Sequence, residues 1–462
     1  MGTRVNVAPL RELGFPSDSI NATDLERWVG EKFGFARAPV YVLEQRLGGP
    51  CGVLAAVQGQ VIAHLLFDHA DGGPNVLSQV DRDEAGQALV EGLAAILWQA
   101  RPGDNAPVRV CYGSVQDDNI SAQECRTLEE VGAALAEHLD TEYSAAGGIM
   151  LFMYSLMLTR TPEQIRDDMD DPSAGLTGQF GHCTQELMNL LLVGVAASQV
   201  HDGTVDMGGG MILRGVPSRP SIGYLTHLEA LRYCEVGSFL KKPFLPVWVV
   251  GSDSHYTVLF GTDPNINKES ERQAALAKAK RAFKEQDREE NGFISVENLG
   301  EVMRSLDLEL SDKQFADLVS QVEVPGSQLV LWDDFWRKVK PLLVPPRDWN
   351  CSACTYLNSK DTDRCEICDT PRRDDMVNDD GRDEDNDEPH TLGLTHINGL
   401  ITTRQGQRQG PTITEFQLTV LSRDLQAPST HGLGNPIEET LHTRWPGSVF
   451  LWPNDEPASI NG

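Results

Sequence analysis

Apolar residues recur along this chain with two periods, and the changes of period divide it into elements. In residues 21–33, Leu25, Trp28, Val29 and Phe33 fall at helical spacing. Residues 45–58 break that rhythm. Gly48, Gly49 and Pro50 are turn residues, and Val53, Leu54, Ala55, Ala56 and Val57 then run together with almost no polar face. The pattern predicts a loop feeding a buried helix from Cys51 to about Leu66. Residues 83–99 and 127–139 read as amphipathic helices, and Val108, Val110 and Tyr112 alternate as a strand. Residues 147–158 and 183–200 read as buried helices, and 224–239 as a helix with Leu225, Leu228, Leu231 and Val236 on its stripe. Residues 244–250 and 255–260, joined by Gly251-Ser252-Asp253-Ser254, predict an antiparallel hairpin. Strand-like alternation returns after His390, and Trp445, Val449, Leu451 and Trp452 need a core.

Cys51 gains chemical meaning from its place in this pattern. It opens the first turn of a helix, where free amides and the dipole favour a thiolate, the nucleophilic form. Gln45, on the approaching loop, is an uncharged donor that can reach an oxyanion beside Cys51. His255 begins the second strand of the hairpin and is the candidate base. His64 lies about 20 Å along the same helix, too far to serve. His182 competes, but its place before a helix start suits a cap or a supporting contact. For the group that orients His255, Thr257, Ser254 and Asp253 are nearby options that spacing does not separate.

Hydrophobic content of 40% and charged content of 23% suit a soluble globular protein long enough for two or three domains. The formal net charge of −29 argues against sequence-independent binding to nucleic acid or to an anionic membrane, so neither partner is expected. No apolar run has the length of a membrane span. The nine cysteines suggest no disulfide framework, and a reducing cytoplasm or nucleus is the simplest location.

Gly48-Gly49-Pro50-Cys51-Gly52-Val53-Leu54-Ala55-Ala56-Val57-Gln58, Gly223-Tyr224-Leu225-Thr226 with Leu228 to Gly237, and Val250-Gly251-Ser252-Asp253-Ser254-His255 resemble the MINDY family of deubiquitinases, most of all its branch that carries an EF-hand. The resemblance covers most of residues 35–345 and resumes at about His390. It implies a papain-like cysteine peptidase that cleaves isopeptide bonds between ubiquitins, often in lysine-forty-eight-linked chains. Cys51 matches the family nucleophile, His255 its base and Gln45 its oxyanion donor.

Residues 271–345 read as a separate helical unit. Asp287, Glu289, Asn291 and Ser295 occupy positions one, three, five and nine of an EF-hand loop, with Gly292 at its sharp turn. Position twelve is Asn298 where a bidentate Glu belongs, so calcium is not expected to bind tightly. Beyond it, Cys351, Cys354, Cys365 and Cys368 form two Cys-x₂-Cys knuckles, the spacing of a tetrahedral structural zinc site. A segment this small takes its folding energy from the metal. It resembles NZF zinc fingers, which implies that Thr355, Tyr356 and Ile367 touch ubiquitin. A relative of that finger reads RNA, which the acidic surroundings disfavour here. Residues 374–388 are an acidic run that predicts a solvated tether.

The expectation is therefore an α+β, papain-like cysteine peptidase with an inserted EF-hand-like unit and a small zinc finger. Its catalytic domain spans 1–265 and 389–462, interrupted by the EF-hand-like unit at 271–345, the finger at 346–373 and the acidic linker at 374–388. Its expected partners are ubiquitin and polyubiquitin chains. The rival reading is a non-catalytic ubiquitin-binding scaffold that uses the finger.

Overall fold

The computed structural model describes residues 2–16, 20–46, 48–68, 76–269, 271–287, 291–345, 348–351, 353–360, 362–371, 390–404, 407–421 and 434–460. The chain is α+β. In its first half, α1 (Ala22–Gly30), α2 (Cys51–Phe67) and α3 (Arg82–Gln99) precede a hairpin of β1 (Val108–Ser114) and β2 (Asn119–Cys125). Helices α4 (Leu128–His138), α5 (Gly148–Arg160) and α6 (Gln185–Val193) follow. Capping boxes fix the starts of α3 and α4, through Asp81 with Glu84 and Thr127 with Glu130.

The organising sheet comes next in the chain. Strands β3 (Gly223–Thr226), β4 (Val247–Gly251) and β5 (Tyr256–Gly261) form one side of it. The chain then leaves the sheet for a helical unit with its own core. That unit comprises α7 (Glu271–Lys284), β6 (Phe293–Ser295), α8 (Val296–Ser305), α9 (Asp312–Val322), β7 (Leu329–Leu331) and α10 (Trp332–Leu343). Strands β6 and β7 pair antiparallel, Ile294 opposite Val330, and Phe283, Trp332 and Phe335 pack together above them. After the four-cysteine segment the chain returns to the sheet as β8 (His390–Asn398) and β9 (Thr412–Val420), then α11 (Pro436–His442) and β10 (Val449–Leu451).

Among the described residues the sheet has six strands in the order β10-β9-β8-β5-β4-β3. Only β3 and β4 run parallel. Side-chain alternation gives each face its own core. Val247, Val249, Val258, Phe260 and Ile397 join the large cluster around α2. Trp248, Val250, Leu259 and Leu394 join Phe416, Leu441, Trp445 and Trp452 on the other face, where Trp248 and Trp445 meet edge to face at 5.4 Å. All of α2 except His64 and Phe67 is buried, which explains its lack of a polar stripe. It lies between the sheet and α3 and α6.

Two expected helices are corrected. Residues 224–239 are not one helix: Gly223–Thr226 is a strand beside β4, Thr226 then caps the single turn His227–Ala230, and Arg232 turns the chain with φ +66°. A parallel strand buried on both faces carries no polar alternation, so its apolar run is indistinguishable from a helical stripe. The supposed stripe is also split, since Leu225 is fully buried and Leu231 half exposed. The helix expected over 183–200 spans only Gln185–Val193. Gly194 ends it, and the buried Asn189 amide then holds the carbonyls of Ala197 and Gln199.

Gly52, second in α2, has no room for a side chain. A Cβ there would lie 2.5 Å from Met188 Sδ and 2.9 Å from Cys183 Sγ. Gly52→Ala is expected to cost about 1–3 kcal/mol by denaturant unfolding, the scale of overpacking. Because Met188 is the obstacle, Met188→Ala should cost less in the Gly52→Ala chain than alone; strictly additive losses contradict this packing.

Candidate active site

The approach to Cys51 is shaped by a bound turn. Gly49 has φ +124°, a conformation that side chains resist, and a Cβ there would meet the Trp28 indole at 3.0 Å. Trp28, fully buried on α1, donates its indole N–H to Gly181 O at 2.9 Å. Helix α2 begins at Cys51 without a side-chain cap. Its first amides, those of Cys51 and Gly52, therefore remain available to face the Cys51 sulfur, as do the Tyr256 amide and the Gln45 side chain. Cys51 Sγ lies 3.8 Å from Gly49 O and 4.0 Å from Ser254 O. Burial pushes the thiol up to about 11, against the pull of these donors. Such a thiol needs a base.

His255 stands between the two residues that face the sulfur, Ser254 and Tyr256. Its turn is closed by Ser252, whose N–H donates to His255 O at 2.9 Å and whose hydroxyl accepts from His255 N–H at 3.2 Å. The imidazole is buried, and its Nε2 meets Asn398 Oδ1 at 2.9 Å. Asn398 Oδ1 also accepts the Leu400 N–H at 3.0 Å, while its Nδ2 donates to Ser459 O at 3.3 Å. These contacts fix the amide with its oxygen toward the ring. Nε2 must then carry the proton, and Nδ1 keeps the lone pair. Burial holds the His255 pKa below the usual 6.5, and the bond to Asn398 opposes it.

Asn398 is the residue that holds the His255 ring, and sequence reasoning missed it. The three named alternatives lie elsewhere: Asp253 and Ser254 are exposed, and the buried Thr257 hydroxyl meets His396 Nε2 at 2.9 Å. Asn398 ends β8, 143 residues from His255, so no local spacing marks it. The same segment holds Gln45. Gln45 N–H donates to Gly399 O at 2.8 Å, and Ile401 N–H donates to Gln45 O at 2.9 Å. One passage of chain thus buttresses both the imidazole and the amide. A cavity of about 20 Å³, room for one water, lies against Cys51, Gln45, Thr257 and Gly399.

The competing histidines stay apart from this cluster. His64 meets Asp68 at 2.5 Å at the far end of α2. The His182 ring stands edge-on to Phe180, and its buried Nδ1 has no hydrogen-bond partner among the described residues.

The four knuckle cysteines converge as the spacing predicts. All four sulfurs lie within 4.8 Å of one another, with three pairs at 3.4 Å. A zinc tetrahedron with Zn–S of about 2.3 Å has edges of about 3.8 Å. Ala353 N–H points at Cys351 Sγ, and the amides of Ile367 and Cys368 point at Cys365. This donor set suits a structural zinc, which is the cofactor of this chain. Tyr356 and Ile367 are 41% and 66% exposed beside it, and Thr355 is exposed with φ +59°.

In the loop of the helical unit, Asp287 accepts the N–H groups of Asn291 at 3.1 Å and Gly292 at 2.8 Å. Ser295 caps α8 by accepting Asn298 N–H at 3.4 Å. Glu289 and the acidic run 374–388 lie outside the described residues. No helix among the described residues is long and apolar enough to cross a membrane.

Residues 17–286 match the family described as "Deubiquitinating enzyme MINDY-3/4, conserved domain", and residues 345–374 match "Zn-finger in Ran binding protein and others". Ubiquitin carboxyl-terminal hydrolase MINDY-3 of Bos taurus is 29% identical over 482 residues, with 96% of each chain covered. The MINDY-3 of Homo sapiens is 28% identical over the same length and coverage. Probable ubiquitin carboxyl-terminal hydrolase MINDY-4 of Homo sapiens is 34% identical over 261 residues, 52% of this chain and 34% of its own. No solved structure matches.

His396 gives the site a pH signature. Burial, with a smaller contribution from His255, pushes it from 6.5 down to about 4. The unfolded chain takes up the proton first, so the neutral burial stabilises fully above 6.5. That stability is lost as pH falls from 6.5 toward about 4, up to about 3 kcal/mol in all. His396→Gln should flatten this part of the stability–pH curve; an unchanged slope would assign it to other groups.

Proposed function

The chain belongs to the MINDY-3/4 family of deubiquitinating enzymes, and from that footing we propose that Cys51, His255, Asn398 and Gln45 are its working site. It is a thiol-dependent ubiquitin hydrolase. The observation that carries the residue assignment is the convergence of three distant segments: the start of α2 and the turn before β5 meet at the Cys51 sulfur, which Gln45 also reaches, and the end of β8, paired with Gln45, holds the His255 ring. The fold reads as papain-like, with a cysteine at a helix start and a histidine in the turn that leads into a strand, and the helical unit reads as EF-hand-like.

In the reaction proposed, His255 Nδ1 takes the Cys51 proton as Sγ attacks the carbonyl carbon that follows the ubiquitin terminal Gly-Gly. The Gln45 side chain and the Cys51 N–H hold the oxyanion. His255 gives the proton to the departing lysine amine, leaving a thioester. Water attacks that thioester, His255 takes the water proton, and the Cys51 thiolate leaves and is reprotonated. Because Asn398 keeps the Nε2 proton in place, Nδ1 alone shuttles.

The finer reading is polyubiquitin, of the lysine-forty-eight linkage that the resemblance implies. Thr355, Tyr356 and Ile367 form an exposed patch at the finger, which we assign to a second ubiquitin of the same chain. Weak contact there raises the effective concentration of substrate at Cys51. A reducing cytoplasm or nucleus suits the unpaired thiols.

Cys51→Ala should abolish cleavage and covalent labelling by ubiquitin propargylamide while chain binding persists. Hydrolysis within about tenfold of wild type rejects the nucleophile. Asn398→Ala and His255→Ala should each lower turnover, by about 10²-fold or more for the histidine, and Gln45→Ala by about 10²–10³. If His182→Ala is inactive and His255→Ala active, the base has been misplaced.

Thr355→Ala with Ile367→Ala should slow cleavage of long chains and leave labelling at Cys51 at the wild-type rate. One equivalent of zinc should remain, since no thiolate changes. Equal rates on long chains would show that the finger holds no substrate.

A further inference from the structure

A ubiquitin tail ends in two glycines, so the cleft at Cys51 senses only backbone there. Selection at the tail itself therefore falls to the side chains just before them, a leucine flanked by arginines, and to surface residues near the approach to Cys51. One residue near the approach turn of Cys51, adjacent to Gly181, is built unlike its neighbours. Phe180 is 65% exposed and has φ +61°. A bulky residue in the left-handed region is strained, and an exposed phenylalanine gains no burial to offset it. Its ring meets the His182 ring edge to face at 6.4 Å, a contact that leaves most of it open to solvent.

The loop that carries Phe180 is nevertheless rigid. Thr177 and Cys183 bridge across its base, Gly178 N–H donates to His182 O at 2.9 Å, and Thr177 Oγ1 donates to Gly14 O at 2.7 Å. Its tip is fastened to the approach turn of Cys51. Gly181 O accepts the Trp28 indole N–H, and that indole packs against Gly49. At the loop's foot Cys183 Sγ lies 3.9 Å from Gly49 O, the carbonyl that Cys51 Sγ also approaches. The backbone that carries the ring is thus fastened to the turn that leads to the sulfur. An exposed aromatic on a rigid mount has already lost the freedom that binding would otherwise remove.

We infer that Phe180 is a specificity-determining residue, the surface on which the leucine preceding the final Arg-Gly-Gly of the ubiquitin tail packs. This rests on the assignment of Cys51 as the nucleophile. In this reading the left-handed backbone serves to hold the ring out of the fold, near the approach turn of Cys51.

The test uses the full chain and ubiquitin propargylamide at varied concentration. Phe180→Ala should raise the half-saturating probe concentration about thirtyfold, the scale of a buried interface aromatic, with the saturated labelling rate unchanged. A rise of less than twofold overturns the inference. A probe whose tail leucine is replaced by alanine should lose a similar factor with wild type and little more with Phe180→Ala; independent losses also overturn it. Alkylation of Cys51 by chloroacetamide should proceed at one rate in both proteins, and a slower rate in the variant would give Phe180 a merely structural role. Phe180→Gly relieves the left-handed backbone, so its melting temperature should equal or exceed wild type while probe binding weakens; a lower melting temperature counts against the proposal. Leu128, half exposed beside α3 at a groove that also includes His64, serves as the control, and Leu128→Ala should change none of these values. Hydrolysis surviving in Cys51→Ala strikes the nucleophile assignment, whereas an unchanged half-saturation strikes only Phe180.

Discussion

The hydrogen bond from His255 to Asn398, 2.9 Å long, joins segments 143 residues apart. For it to form, β8 must pair with β5 in one register only. Leu394 stands opposite Gly261 and Ile397 opposite Val258. A slip of one residue would turn Leu394 away from the core it shares with Trp248 and would carry Asn398 off the imidazole. The register is therefore fixed by burial, and the polar contact is a consequence of it. The same ending of β8 delivers Gly399 and Leu400 to Gln45, so the two sides of the proposed site are set by one strand end.

The polar groups around Cys51 sit where water is scarce. Burial raises the thiol and lowers the imidazole, so the resting pair is neutral. A neutral pair avoids burying two charges, which would cost several kcal/mol per ion before any attraction is counted. The uncapped start of α2 and the Gln45 amide then find their best use late. At rest they face the sulfur, and in the proposed reaction they serve the oxyanion that forms beside it without reorganising.

What could be read from the sequence was local. Gly48-Gly49-Pro50-Cys51 puts a turn, a helix start and a thiol within four residues, and the knuckle cysteines carry their geometry in their spacing. His255 was legible because a hairpin turn adjoins it. Asn398 was not, because its partner is reached only through sheet pairing across a long excursion. Strand β3 was misread for a related reason: its four residues are all buried, and burial on both faces erases the alternation that marks a strand. Phe180 was invisible for the opposite reason, since an exposed aromatic in a Gly-flanked turn fits no periodic pattern.

The long excursion itself bears on the site. The chain leaves the sheet at Gly261 and returns at His390, yet β5 and β8 are neighbours. Closing such a loop costs entropy, but only logarithmically, by about 0.6 kcal/mol for each doubling of length. A self-packed unit lowers that cost further, because its ends are held by its own core around Phe283 and Phe335. The unit is also anchored at its first helix, where Arg281 donates to Ser238 Oγ at 3.0 Å and lies over the Phe239 ring at 4.5 Å. Ser238 and Phe239 in turn donate their N–H groups to Asp202. The helical unit thus leaves the sheet along a defined surface, and its attachment runs through residues between β3 and β4. Sequence can vary inside the excursion with little effect on the imidazole, provided that β8 still finds β5. The constraint that the site imposes on the rest of the chain is the return of one strand in one register.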